Sequence, residues 1–111
     1  MFDHHQQSAE SIKAFWNCRD ECHAALSNRV LEMGEGNVNA RTVTTLTDCA
    51  AICQLMAEFM TRQSPMSHEL ADACAVICRD CAVQCEELNG AAMMRCAEIC
   101  SRCAVLAGKV T

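Results

Sequence analysis

Seven cysteines between Cys74 and Cys103 constrain this chain more than any other feature in it. Cys74, Cys78, Cys81 and Cys85 fall at i, i+4, i+7 and i+11. After Asn89-Gly90, Cys96, Cys100 and Cys103 repeat the first three steps. On an α-helix, positions three, four and seven apart share one face. Two neighbouring helices would then each carry a stripe of thiols.

The same rhythm runs upstream. Thr42, Leu46, Cys49, Cys53, Met56 and Met60 form one stripe, and Ile12, Phe15, Cys18, Cys22, Leu26 and Val30 another. Strand signals are nearly absent, apart from a weak alternation over 41–47. Residues 1–7 read as a loose tail and 8–111 as one domain. A first helix is expected from Ser8 to about Glu32. Gly34 to Asn39 is a loop, and Asn39 caps a second helix reaching about Arg62. Ser64-Pro65 starts the third helix or forms a tight turn just before it. Asn89-Gly90 ends that helix, and a fourth covers 91–109. Short connections make neighbouring helices antiparallel. The expected fold is all-α: an up-down-up-down four-helix bundle whose seams line the interior with Cys.

The chain has 11 Cys in 111 residues, enough to raise a disulfide scaffold. Three facts oppose it. The first sixteen residues, MFDHHQQSAESIKAFW, lack the apolar core of a secretion signal. The count is odd. Cysteines at i,i+4 have Cβ atoms about 5–6 Å apart, wider than the ~3.5–4.5 Å a disulfide prefers. Free or metallated thiols in a reducing cytoplasm are the expectation. Net charge is −5 and no basic cluster occurs, so nucleic acid is not an expected partner. No apolar run reaches the ~20 residues that span a bilayer, so neither is a membrane.

The thiol stripes admit several readings. Cys packs as a small hydrophobe, but a core of Cys in place of Leu buries less apolar area. Thiolates are soft ligands that suit Cu(I), Zn(II) or Fe–S clusters. A metal between two sulfurs needs them about 4.5 Å apart, which rotamers at i,i+4 can reach. Two-coordinate binding suits Cu(I), whereas Zn(II) prefers a closed tetrahedron. Sulfurs from two helices could still build one. Fe–S clusters usually take Cys at other spacings. Charge favours a monovalent ion: about one Cu(I) per thiolate neutralises the core, whereas bare thiolates could not be buried. The alternative class is a thiol redox or electron-transfer protein with a Zn or Fe–S centre. A plain helical interaction module is a third.

Met56 and Met60 extend the second stripe towards the end where Met66 and His68 fall, with His4 and His5 nearby. Such a ring of thioethers and imidazoles could capture Cu(I) at one mouth. Each member also has an ordinary role: Met56 and Met60 as gap-filling core, His68 as a polar residue of a first helical turn, His4 and His5 as tail. Met93 and Met94 belong to the opposite end and read as packing, His23 as surface. The acidic residues lie mostly off the stripes, and no catalytic constellation stands out. The chain is not expected to be an enzyme.

The segments CAVICRDCAVQC and CAEICSRC, on four helices of this length, resemble the bacterial copper storage proteins, a Cys-rich four-helix-bundle family. The resemblance covers roughly 8–110. It implies storage or detoxification of many Cu(I) ions by inward-facing Cys, in a homotetramer. The implied ligands are Cys18, Cys22, Cys49, Cys53, Cys74, Cys78, Cys81, Cys85, Cys96, Cys100 and Cys103. Met56, Met60 and His68 are implied at the mouth. Copper chaperones or copper enzymes are the protein partners such a store would serve. The first two helices carry two Cys each and position 107 is Ala, so capacity should be below that of Cys-richer members, with a plug near Ile12, Phe15 and Ala107. The chain is similar to the cytosolic branch.

Overall fold

A computed structural model describes residues 4–34, 36 and 38–110, with side chains described from residue 8 onward. It contains four helices: α1 (His4–Met33), α2 (Ala40–Thr61), α3 (Ser67–Leu88) and α4 (Ala91–Ala107). Among the described residues there is no strand.

The helix ends follow local chemistry. α1 begins four residues before the expected Ser8, so His4 and His5 lie on a helix. Nothing in His-Gln-Gln-Ser-Ala breaks a helix, and Ser8 need not cap one. Gly34, at φ 81°, ends α1 in the left-handed region and donates its N–H to Val30 O at 2.8 Å. Asn39 caps α2 as expected: extended at φ −63° and ψ 130°, its Oδ1 accepts the Arg41 N–H at 2.8 Å. Ser64-Pro65 belongs to the turn, not to α3. Ser64 Oγ accepts the Met66 N–H at 3.1 Å, and the helix starts at Ser67. Asn89 (φ 59°) and Gly90 (φ 101°) reverse the chain between α3 and α4. α4 stops at Ala107, two residues before the expected Lys109, and the chain tightens into a turn with Val110 N–H on Ala107 O at 3.2 Å.

Each helix packs against two neighbours, in the cycle α1–α2–α3–α4–α1, and the bundle measures 47 × 24 × 18 Å. Contacts run in opposite order along paired helices. Cys22 meets Cys96, and Cys18 meets Cys100, while Cys103 reaches Ala14 O. The neighbours α1 and α4 are therefore antiparallel, as an up-down-up-down bundle requires.

All eleven Cys are buried, and so are nine Ala: Ala14, Ala25, Ala50, Ala57, Ala71, Ala82, Ala97, Ala104 and Ala107. Small side chains flanking the seams let the helices approach closely. That is what brings sulfurs on different helices together. Apolar residues cover both ends of the thiol column. At one end Phe15, Met56, Ala71 and Ala107 are buried, with Ile12, Met60, Leu70 and Leu106 against them. At the other lie Ala25, Leu46 and Met93, with Leu26 and Leu88. Thr42 belongs to this second end and is the sole buried polar side chain among the described residues.

Candidate metal centre

All eleven cysteines are free thiols in this structure. Their sulfurs form a continuous network along the bundle axis. Within a helix, Cys74 and Cys78 lie 3.8 Å apart and Cys96 and Cys100 3.9 Å. Contacts between helices are as short. Cys53 and Cys78 lie 3.5 Å apart, Cys49 and Cys78 3.8 Å, Cys18 and Cys49 4.0 Å. Cys100 is the hub: its sulfur is 3.7 Å from Cys18, 3.7 Å from Cys49 and 3.9 Å from Cys22. Spacing along the chain predicts the pairs within a helix but carries no signal for these cross-helix contacts. They depend on how close the helices come. The clue was the alanine that follows Cys49, Cys81, Cys96 and Cys103 in the sequence.

Three groups of four sulfurs each lie mutually within 4.8 Å: Cys18, Cys22, Cys49 and Cys100; Cys18, Cys49, Cys53 and Cys78; Cys22, Cys81, Cys96 and Cys100. Cys74, Cys85 and Cys103 stand at the margins. Cys74 touches Cys78, Cys85 interacts with Cys81 and Cys96, and Cys103 with Cys18 and Cys53. Cys103 also points its thiol at Ala14 O, 3.4 Å away.

Burial pushes every one of these thiols towards its protonated form. No cation is buried beside them among the described residues. S–H sharing then separates neighbours. Contacts with Cys18, Cys22, Cys49 and Cys81 hold Cys100 far above the ordinary 9.0, and Cys81 and Cys96 do the same for Cys85. S–H donors from Cys53 and Cys78 bring Cys74 down to about 5. Those from Cys18 and Cys53 bring Cys103 down to about 5. A shared proton stays on one sulfur and stabilises thiolate on the next, so the set titrates as a unit.

The other expected site residues fall outside these groups. Met56 is fully buried in the plug, one turn beyond Cys53, and Met60 is partly buried a turn further on. His68 is exposed, with Nδ1 3.2 Å from Val110 O. The expected Met/His mouth and the expected plug are thus the same end of the bundle. Of the side chains read as packing or surface, Met93 is buried, while Met94 and His23 are exposed. Trp16 is partly buried on α1, with the Arg19 guanidinium 4.7 Å over its ring.

A bundle with a column of free thiols, grouped by fours, defines a class: a protein built to bind soft metal ions through sulfur. Comparison with known proteins makes that class specific. The chain belongs to the copper storage protein family, whose family model matches residues 4–110. It is similar to a crystal structure of a protein from Nitrosospira multiformis, with 35% identity, 94% of each chain covered and a TM-score of 0.84. It is also similar to the Cu(I)-bound copper storage protein BsCsp3, with 26% identity, 92% of this chain and 95% of that one covered, and a TM-score of 0.83. No curated protein sequence matches the chain significantly. Among the described residues no helix is long and apolar enough to cross a membrane.

Proposed function

We propose that this protein stores Cu(I), holding several ions per chain on Cys18, Cys22, Cys49, Cys53, Cys74, Cys78, Cys81, Cys85, Cys96, Cys100 and Cys103. One observation carries the reading: eleven buried free thiols, eight of whose sulfurs approach one another within 3.5–4.0 Å both along and between helices. Sulfurs this close can each bridge two monovalent ions, so charge neutrality and coordination are met together. Loading exchanges the protons that remain on these sulfurs for copper. No catalytic role is assigned to any residue.

Finer parts of the reading have separate support. Met56 and then Met60 continue the α2 stripe outward from Cys53, and form a thioether path for copper into the column. His68, whose Nδ1 faces Val110 O, offers Nε2 at the rim of that path. Eleven free thiols suit the reducing cytoplasm. Exposed Leu31, Val76 and Val105 supply apolar surface for a homotetramer. Copper chaperones or copper enzymes would exchange ions with it.

Anaerobic titration of the fully reduced protein with Cu(I), against a chromophoric chelator, tests the storage reading. Uptake is expected to continue towards about one Cu(I) per Cys. Saturation at one or two ions would overturn it.

A further inference from the structure

The three groups of four sulfurs are not independent, and how they overlap has a chemical consequence. Cys18, Cys49, Cys53 and Cys78 share no residue with Cys22, Cys81, Cys96 and Cys100. The third group, Cys18, Cys22, Cys49 and Cys100, takes two sulfurs from each of the others. At most two groups can therefore be occupied at once by ions that each need four sulfurs. Either both outer groups fill, or the central group fills alone.

The separations match such an ion. A tetrahedral centre with metal–sulfur bonds of about 2.3 Å has sulfur–sulfur edges of about 3.8 Å. In the first outer group, Cys18–Cys49, Cys49–Cys78 and Cys53–Cys78 measure 4.0, 3.8 and 3.5 Å. In the second, Cys22–Cys96, Cys22–Cys100 and Cys96–Cys100 measure 3.7, 3.9 and 3.9 Å. The remaining edges lie within 4.8 Å. Little movement is needed to close either tetrahedron. We infer that the copper-free protein binds two thiophilic divalent cations of the Zn(II) class. One sits on Cys18, Cys49, Cys53 and Cys78, the other on Cys22, Cys81, Cys96 and Cys100. Cys74, Cys85 and Cys103 are left unused.

Charge sets the character of these sites. Four thiolates around a divalent ion leave two negative charges, in a core that holds no cation among the described residues. Burying that charge is costly. Cu(I) on the same sulfurs leaves none when ions and thiolates are equal in number. The divalent ions are thus held exchangeably, and Cu(I) displaces them. Geometry admits both cargoes, and charge ranks them. This inference uses only the geometry of the thiols and does not depend on the storage reading.

Anaerobic titration of the reduced, copper-free protein with Co(II) as the probe tests it. Tetrathiolate Co(II) has intense visible absorption that octahedral Co(II) lacks. The absorption should rise to a plateau at two equivalents, the number of disjoint groups. Zn(II) should then bleach it. Cys53→Ser and Cys96→Ser each break one outer group, and each should halve the tetrathiolate signal. The C74S/C85S/C103S variant should keep both equivalents. A plateau at one equivalent would place the ion on the central group and overturn the two-site inference. So would weak octahedral absorption, or loss of an equivalent in the triple variant. Far-ultraviolet circular dichroism of each variant separates a lost ligand from a lost fold. Should Cys53→Ser fail to fold, the Cys96→Ser and triple variants still decide the question. Failure here leaves the Cu(I) titration untouched, and failure of that titration leaves this result standing.

Discussion

Cys100 shows how much a single side chain can carry in this core. Its sulfur contacts Cys18, Cys22, Cys49 and Cys96, and it belongs to two of the four-sulfur groups. On the proposed storage reading, a thiolate in that position would bridge more than one ion. Cys100→Ser should therefore lower Cu(I) capacity by more than one ion, whereas Cys85→Ser, at the margin, should lower it by one at most. Chelator-competition titration of both variants reads the difference directly, and equal losses would contradict the hub. Phe15 has a different role at the same scale. It is wholly buried in the plug, so Phe15→Ala should destabilise the copper-free protein by about 3–5 kcal/mol. Urea unfolding measures this, and a loss under about 1 kcal/mol would mean that the plug collapses around the gap. The inward direction of every Cys was legible in the sequence, because helical periodicity fixes which face a residue occupies. The partners were not. Which sulfur meets Cys100 depends on helix separation and rotation, which no spacing along one helix encodes.

At the scale of elements, the four helices and their turns were legible because their punctuation is strong. Asn39, Gly34 and Asn89-Gly90 each hold the place that their side chains or backbone freedom suit. Asn39→Ala removes the acceptor of the Arg41 N–H and should cost about 1 kcal/mol in thermal or urea unfolding, with Cu(I) capacity unchanged. A fall in capacity would mean that the α2 stripe shifts with its cap. Two boundaries moved: α4 stops at Ala107, short of Lys109, and α1 starts early. α1 extends back to His4 because nothing upstream of Ser8 breaks a helix. α3 starts after Pro65, as the turn reading of Ser64-Pro65 allowed, because Ser64 and Pro65 complete the turn from α2. The close approach of α1 to α4 and of α2 to α3 was not legible from the Cys alone. Buried alanines beside the Cys, such as Ala50, Ala82, Ala97 and Ala104, keep the side chains between the helices small.

In the whole molecule, copper and protons compete for the same sulfurs, and this makes stability depend on pH in a definite direction. Thiols of the unfolded chain ionise around the ordinary 9.0. In the folded, copper-free protein Cys53, Cys85 and Cys100 keep their protons well above that value. Cys53 does so through Cys103, Cys18, Cys49 and Cys74, Cys85 through Cys81 and Cys96, and Cys100 through Cys18, Cys22, Cys49 and Cys81. Above 9.0 the unfolded chain then binds fewer protons than the fold does, so the stability these groups contribute is lost as pH rises. Cys74 and Cys103, held at about 5, act between about 5 and 9.0. In that window they add stability as pH rises. Above it they are ionised in both states, and their contribution is full and no longer changes with pH. The melting temperature of the copper-free protein should accordingly fall between about pH 9 and pH 10.5. The loaded protein has already given up those protons to the ions that replaced them. On the proposed ligands, copper would also join sulfurs across all four helices, so the loaded protein should melt higher throughout, by the mass action of a ligand that binds only the folded state. Calorimetry of both forms across that range separates the two effects. Parallel pH profiles would mean that loading leaves the protons of the core in place, and would count against thiolate as the ligand.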